Sequence, residues 1–475
     1  MAEQSRASKF LNDLGIYTLA NLSSRVLTFL MVPVYTYFVE RPADFGYYDM
    51  CMIICSMLYP VVSLRLRDSA VRFLLETNDN DVQKRTLVVT SIVRVLFRSL
   101  ATWALIVVGI RFVYGEIPYL WYSLLFLLAN SMAGVMTQFA RGFGMNKLFA
   151  AVGVVTTFLN IAFTIILLVV CKMGIEGIFI SNIAARFAAV IITEYYTSFI
   201  RKFFSWHIDI KAISREVLKF CVPLIPTALC WSLTAANGRF FIGYFLGLSF
   251  NGIFAVALRF GSVFDSLSYI FGTAWQETAI RQYGKEGSNQ FFSKILTAYI
   301  MVLCLILITG SFLFKAFFTF FIAENYRDSI NYVYLIGFSA SLYALAAFFE
   351  LGYQCAKETV RTIIPIIITA LINVAANVCL IQFIGLYGIC VSSCLTYGFL
   401  LVYRWIDTKR YFTLSVQRAA FIPVILAFAS ILIYYLPLPM WANIAYAIGT
   451  FIIIGALMPK DARQLVLSKL RLRKH

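Results

Sequence analysis

Long apolar runs separated by short charged turns fill the chain from residue 10 to residue 458. A helix needs about 20 mostly apolar residues to cross a ~30 Å hydrocarbon core. On that scale the runs predict spans near 10–37, 46–66, 87–110, 117–138, 147–170, 176–199, 219–246, 250–274, 293–314, 330–353, 361–383, 386–407, 418–436 and 440–458. The runs are continuous instead of alternating, which excludes a transmembrane β-barrel. The expected fold class is therefore all-α, a polytopic membrane protein of about 14 transmembrane helices. The first span is badly made for lipid. Asn12, Asp13, Asn21, Ser23, Ser24 and Arg25 interrupt it, Gly15 loosens its start, and Pro33 removes a backbone donor near its end. A central Arg costs roughly 2.5–3.5 kcal/mol on insertion scales, so this helix is expected to face a polar cavity. A cleavable leader is not expected, because the first span starts almost at once and lacks a small-residue cleavage site.

Composition agrees with the pattern: 61% of residues are hydrophobic, 13% are charged, and the mean hydropathy is +0.82. Ten Cys are scattered through the spans without a CxxC pair, and there are two His. A metal site or a disulfide scaffold is therefore not expected, and no cofactor is implied. Cys51/Cys55 and Cys390/Cys394 stand four apart, a spacing that suits small packing residues. No GxxxxGK[ST] loop is present, so ATP hydrolysis by the chain itself is not expected.

The net charge of +17 would suggest nucleic acid for a soluble protein, but its distribution points elsewhere. With the N-terminus inside, the cytoplasmic segments hold 29 Lys and Arg, the opposite side holds five (Arg41, Arg111, Lys172, Lys315 and Arg327), and six lie within spans. This asymmetry follows the positive-inside rule and predicts both termini in the cytoplasm. Membrane lipids, through the anionic inner leaflet, are the partners it implies, and nucleic acid is not needed. Trp121, Tyr122, Trp206, Trp405 and Trp441 near span ends read as interfacial belts.

The chain also repeats itself. Lys9-Phe10 recurs as Lys219-Phe220, Gly46 as Gly252, and Ala70-Val71-Arg72 as Ala279-Ile280-Arg281. Gln138-Phe139-Ala140-Arg141 answers Gln354-Cys355-Ala356-Lys357, and Gly174–Ser181 (GIEGIFIS) answers Gly385–Ser392 (GLYGICVS). The offsets, 210, 206, 209, 216 and 211, are nearly constant. Six spans per half is an even number, so the halves are expected to be parallel repeats with any substrate site at their interface. The expected domains are a six-helix lobe over 1–200, a second over 201–410, and two additional helices with a basic tail over 411–475.

The chemistry is expected in the six intramembrane arginines: Arg25, Arg94, Arg98, Arg186, Arg239 and Arg259. Together they cost on the order of 15–20 kcal/mol unless solvated or paired. Few acids lie deep in the spans: Asp265 and Glu350, with Glu194 near an end. Arg94 and Arg98 share a helix face and repel each other unless water or an anion lies between them. A water-filled cationic cavity receiving an anion resolves this, and guanidinium suits phosphate because its fork binds bidentately and stays protonated. Each Arg can alternatively snorkel or cap a broken helix. Asp265 and Glu350 are candidates for ion coupling, or for interhelical salt bridges. Gly15 and Pro33 in the first span, and Pro223 and Pro226 in the seventh, are candidate hinges.

Several of these residues carry a family likeness. The basic-Phe start, the Gly15-Ile-Tyr-Thr-Leu-x-Asn21 run, Pro33-x-Tyr-Thr36 and the Phe45-Gly-x-Tyr-Asp49 turn resemble the polysaccharide-biosynthesis flippases of the multidrug/oligosaccharidyl-lipid/polysaccharide (MOP) exporter superfamily. So do Asn237-Gly-Arg-Phe-Phe-Ile242, Asn251–Arg259, and the Asn160 and Asn373 helices that lead into the Gly-x-x-Gly turns. The resemblance covers about residue 8 to residue 407. It implies movement of a polyprenyl-pyrophosphate-linked glycan from the cytoplasmic to the outer leaflet of a bacterial inner membrane. A glycan polymerase or glycosyltransferases of the same pathway are the further partners it implies. Gly238 stands where relatives often carry an acid before the Arg, which puts a carboxylate-coupled cation step there in doubt.

Three functions follow. The first is a flippase for a lipid-linked glycan, working by alternating access of two lobes. The second is a cation-coupled drug exporter of the same fold, which would be expected to carry acidic cavity residues. The third is a membrane glycosyltransferase or glycan polymerase, with Glu40, Asp44 and Asp49 as candidate carboxylates. Their turn is short, however, and short loops usually serve as solvated connections. A transporter, not an enzyme, is the expected class.

Overall fold

The computed structural model describes residues 30–77, 81–356 and 358–458, and within them the regular structure is helical, with no strand. The helices are α1 (Val32–Phe38), α2 (Pro42–Val62), α3 (Leu66–Leu75), α4 (Val82–Tyr114), α5 (Leu120–Gly142), α6 (Asn146–Thr164), α7 (Gly174–Thr197), α8 (Phe199–Phe203) and α9 (Lys211–Cys221). There follow α10 (Leu224–Phe245), α11 (Leu248–Gln282), α12 (Ser288–Phe321), α13 (Ile330–Cys355), α14 (Ile363–Ile384), α15 (Leu386–Asp407), α16 (Phe421–Tyr434) and α17 (Met440–Leu457). Among the described residues, ten helices are long and apolar enough to cross a membrane. They account for ten of the expected spans, and the apolar helix Arg418–Tyr434 accounts for the thirteenth. The first expected span lies outside the described residues except for its end. The chain is a multi-pass, all-α membrane protein.

The seventh span differs from its expectation, because a proline breaks the apolar run. Pro223 cannot donate to the helix ladder and its ring meets the carbonyl one turn back, so α9 stops at Cys221 and α10 begins at Leu224. Pro226 then falls in the first turn of α10, where its missing N–H costs nothing. Pro33 sits likewise in the first turn of α1. Pro60 lies inside α2 and leaves the carbonyl of Ser56 without its helical donor. The Ser232 hydroxyl of α10 donates to that carbonyl instead, at 3.5 Å.

By contacts the chain forms two compact units, Met1–Phe240 and Phe241–His475. In the first, α2, α3, α4 and α5 enclose a core that includes Val62, Leu66, Ile92, Phe139, Val217 and Cys221. In the second, Trp275, Phe292 and Phe348 build one core and Phe312, Tyr334 and Tyr434 another. The second core fixes α16 and α17 onto α12, and the buried Tyr334 hydroxyl donates to the Ala427 carbonyl at 2.7 Å.

The repeated Gly-x-x-Gly turns have one physical explanation in both units. Gly174 and Gly385 adopt positive φ, +60° and +57°, which glycine reaches without steric cost. Three residues later, Gly177 and Gly388 let α7 and α15 touch the backbone of the preceding helix segment. A Cβ would stand 3.2 Å from the Leu167 carbonyl carbon at Gly177, and 2.5 Å from the Leu380 carbonyl at Gly388. Polar pairs lock each turn. Asn160 donates to Asn182 at 3.2 Å in the first unit, and Asn373 donates to Thr396 at 3.1 Å in the second.

Candidate functional site

Helices α2, α3, α5, α6 and α7 of the first unit surround a cavity of about 530 Å³, within the ~300–1,000 Å³ range of small-molecule sites. Its polar lining includes Tyr59, Arg67, Asn130, Thr137, Gln138, Thr156, Thr157, Asn160, Asn182 and Arg186, with no carboxylate among the described residues. Two features of the chain aim Arg67 inward. After α2, Leu64 and Arg65 take left-handed backbone angles, φ +48° and +54°, which bulky residues adopt only where surrounding structure imposes them. The turn lets α3 run back against α5, where Leu74 and the Ala70 carbonyl pack on Gly142. Tyr59 reaches the same space because Gly134 offers no side chain: a Cβ there would stand 2.5 Å from the Tyr59 hydroxyl.

The lining is held in place by its own bonds. Thr156 and Thr137 donate to carbonyls one turn back, Val152 and Ala133, at 2.6 and 2.8 Å, leaving hydroxyl lone pairs for a ligand. Asn182 donates to the Tyr48 hydroxyl and the Ile178 carbonyl at 3.2 and 2.9 Å. Arg186 makes no ion pair among the described residues. The cavity thus combines two guanidinium groups with neutral amides and hydroxyls, a donor set for a phosphate and for sugar hydroxyls.

Four of the candidate arginines are described in the first unit, and they occupy three places. Arg186 lines the cavity. Arg94 is turned to the segment before α9, donating to the Ser205 and Ile208 carbonyls at 2.6 and 3.1 Å, and it lines a second cleft with Arg98. Arg239 pairs with Asp49 of α2 at 3.3 Å. Asp49–Arg239 and Ser56–Ser232 are each seven residues apart on their helices and in opposite order, so α2 and α10 run antiparallel with a two-turn spacing. Asp49 is thus a carboxylate beside Arg239, and the pair links α2 to α10. Asp44, a candidate carboxylate of the alternative enzyme reading, lies in the first turn of α2, where a negative charge favours the helix dipole.

In the second unit, Arg259 is half-buried on α11 and Asp265 is exposed six residues further on. Glu350 accepts from Arg404 at 2.8 Å, and Arg404, 2% exposed, also donates to the Ala346 carbonyl at 3.1 Å. Arg25 and Gly15 lie outside the described residues. Sequence reasoning missed Arg67, Tyr59, Asn130, Thr137 and Asn182 as cavity residues, and Arg404 as an intramembrane charge.

The polysaccharide biosynthesis protein family profile matches residues 10–276, more than half of the chain. The chain belongs to this family. Solved structures share its fold. It is similar to the lipid II flippase MurJ in an inward closed conformation, at 13% identity and a TM-score of 0.69, covering 94% of this chain and 99% of that one. It is also similar to a multidrug resistance MATE family transporter of the MOP superfamily. The inward-facing form gives 14% identity, coverage of 83% and 95%, and a TM-score of 0.55. The outward-facing form gives 15% identity, coverage of 84% and 94%, and a TM-score of 0.56. No curated protein matches the chain by sequence. The protein shares the fold of these structures.

Proposed function

We propose that this protein is a flippase that carries a lipid-linked, pyrophosphate-bearing oligosaccharide from the cytoplasmic to the outer leaflet, for assembly of a cell-surface polysaccharide. The observation that supports it is Arg186, a guanidinium set with Arg67 among amides and hydroxyls in a cavity whose described lining holds no carboxylate. Guanidinium forks would take the pyrophosphate and the neutral groups the sugars, while the polyprenyl tail stays in lipid. The lobes alternate access, with Pro33, Pro223 and Pro226 as bending points and both termini cytoplasmic. Arg25, Arg239 and Arg259 are its further candidate substrate residues, Arg239 while paired with Asp49. Asp265 and Glu350 are its candidates for coupling to an ion.

Export of glycan by a strain lacking the gene tests the reading. Arg186→Ala is expected to lower export about ten- to a hundredfold, as loss of a charged hydrogen bond costs ~1.5–3 kcal/mol. Arg186→Lys should keep part of it, because charge survives and bidentate geometry does not. Normal export by a well-expressed Arg67→Ala, Arg186→Ala double variant would sink the proposal. A cation-coupled drug exporter would instead lose drug tolerance and leave glycan export unchanged.

A second prediction uses the close approach at Gly134. Gly134→Ala should displace the Tyr59 hydroxyl into the cavity and reduce export severalfold at normal membrane abundance. Tyr59→Phe removes the clashing atom, so the double variant should export more than Gly134→Ala alone. Equal export by Gly134→Ala and the unaltered protein would remove this cavity from the transport path.

A further inference from the structure

The cleft that Arg94 and Arg98 line has a chemistry of its own. It measures about 930 Å³ and lies between α4, α9 and the segment joining α8 to α9. Arg94 and Arg98 approach it from successive turns of α4, and Lys211, Arg215 and Lys219 from one face of α9. The opposite face of α9, with Val217 and Cys221 fully buried, is sealed into the core of the first unit, so the basic face cannot turn away. Asp209 is the one carboxylate among the described lining residues, and one of its oxygens accepts the Lys211 backbone N–H at 2.9 Å. Arg98, Lys211, Arg215 and Lys219 make no ion pair among the described residues. Five cations against one carboxylate leave the cleft strongly positive, a field that attracts an anion.

The rim identifies the kind of anion. Leu218 and the exposed Val222 continue the cleft in the direction of α10. Trp206, 72% exposed, stands 5.5 Å from the Arg94 guanidinium, and an amphipathic ring of this kind favours the headgroup level of a bilayer. We infer that this cleft binds the phosphate of an anionic phospholipid headgroup, with the acyl chains leaving over Leu218 and Val222. The shared chemistry is a phosphate oxyanion held by guanidinium and ammonium groups, so a soluble phosphate is the other source to be distinguished. The site is separate from the Arg186 cavity and does not depend on the glycan reading.

The test uses the full chain in nanodiscs and reads Trp206 emission, isolated by subtracting a Trp206→Phe variant. The probes are phosphatidylglycerol brominated on its acyl chains, brominated phosphatidylcholine, and inorganic phosphate. Brominated phosphatidylglycerol at a minor fraction should quench Trp206 more strongly than brominated phosphatidylcholine at the same fraction. The variant Arg98→Gln, Arg215→Gln, Lys219→Gln leaves Arg94, which ties down the 205–208 segment, untouched. Its preference for the anionic lipid should fall about fivefold for each charge removed. In discs of phosphatidylcholine alone, a change in Trp206 emission with inorganic phosphate that the triple variant lacks would keep the phosphate site and assign it to a soluble ligand. Equal quenching by both lipids with no phosphate response, or an unchanged preference in a folded triple variant, would overturn the inference.

Discussion

Glu350→Ala is expected to cut the folded protein recovered from membranes to a small fraction of normal. Arg404 is 2% exposed and Glu350 is its carboxylate partner at 2.8 Å. Taking away one member of a buried pair leaves a charge that the interior cannot solvate, at about 3–5 kcal/mol. The Ala346 carbonyl still accepts from Arg404, but a neutral acceptor does not replace a carboxylate. Replacing both partners is a different experiment, since apolar residues of similar volume are often neutral where a buried pair stood. Glu350→Leu, Arg404→Met should therefore recover folded protein that Glu350→Ala loses, read as monodisperse protein after heating in detergent. If Glu350→Ala were instead abundant and stable but lost its dependence on an ion gradient, Glu350 would be a coupling residue and the pair incidental.

Gly388→Ala should be nearly as damaging, and Gly177→Ala milder. The two glycines hold equivalent places in the repeat, so the comparison isolates one variable. At Gly388 the added methyl meets the Leu380 carbonyl at 2.5 Å, and backbone cannot swing aside as a side-chain tip can. Relief requires α14 and α15 to part, which disturbs the Asn373–Thr396 bond. Overpacking of this type costs about 1–3 kcal/mol and sometimes more. At Gly177 the contact would be 3.2 Å, and a shift of a few tenths of an ångström accommodates it. Thermal stability of each purified variant measures the difference, and equal losses would mean that the two turns are less alike in packing than in sequence.

The spans were legible because lipid imposes a length and a composition that few other constraints produce. The Gly-x-x-Gly repeat was legible too, since positive φ and helix contact both select glycine. The break at Pro223 was harder to place, because the run around it stays apolar on both sides. For the site, Arg186 stood out as a charge in an otherwise apolar helix. Arg67 did not: it reads as a loop charge, and only the left-handed turn at Leu64 and Arg65 brings it back to the cavity. Arg404 reads as an anchor at the end of a span, since nothing near it in sequence reveals that Glu350 will meet it. Pairings between distant helices, such as Asp49 with Arg239, leave no local periodicity to detect.

That last pairing sets a schedule for synthesis. Asp49 leaves the ribosome 190 residues before Arg239 does. At roughly 5–20 residues per second the interval is about 10–40 s. During it, α2 must wait in the membrane without the guanidinium that will hold it to α10. The insertion machinery, or a chaperone within the bilayer, has that long to shelter a nascent carboxylate, so slowed translation between residues 49 and 239 should expose early intermediates to membrane proteases.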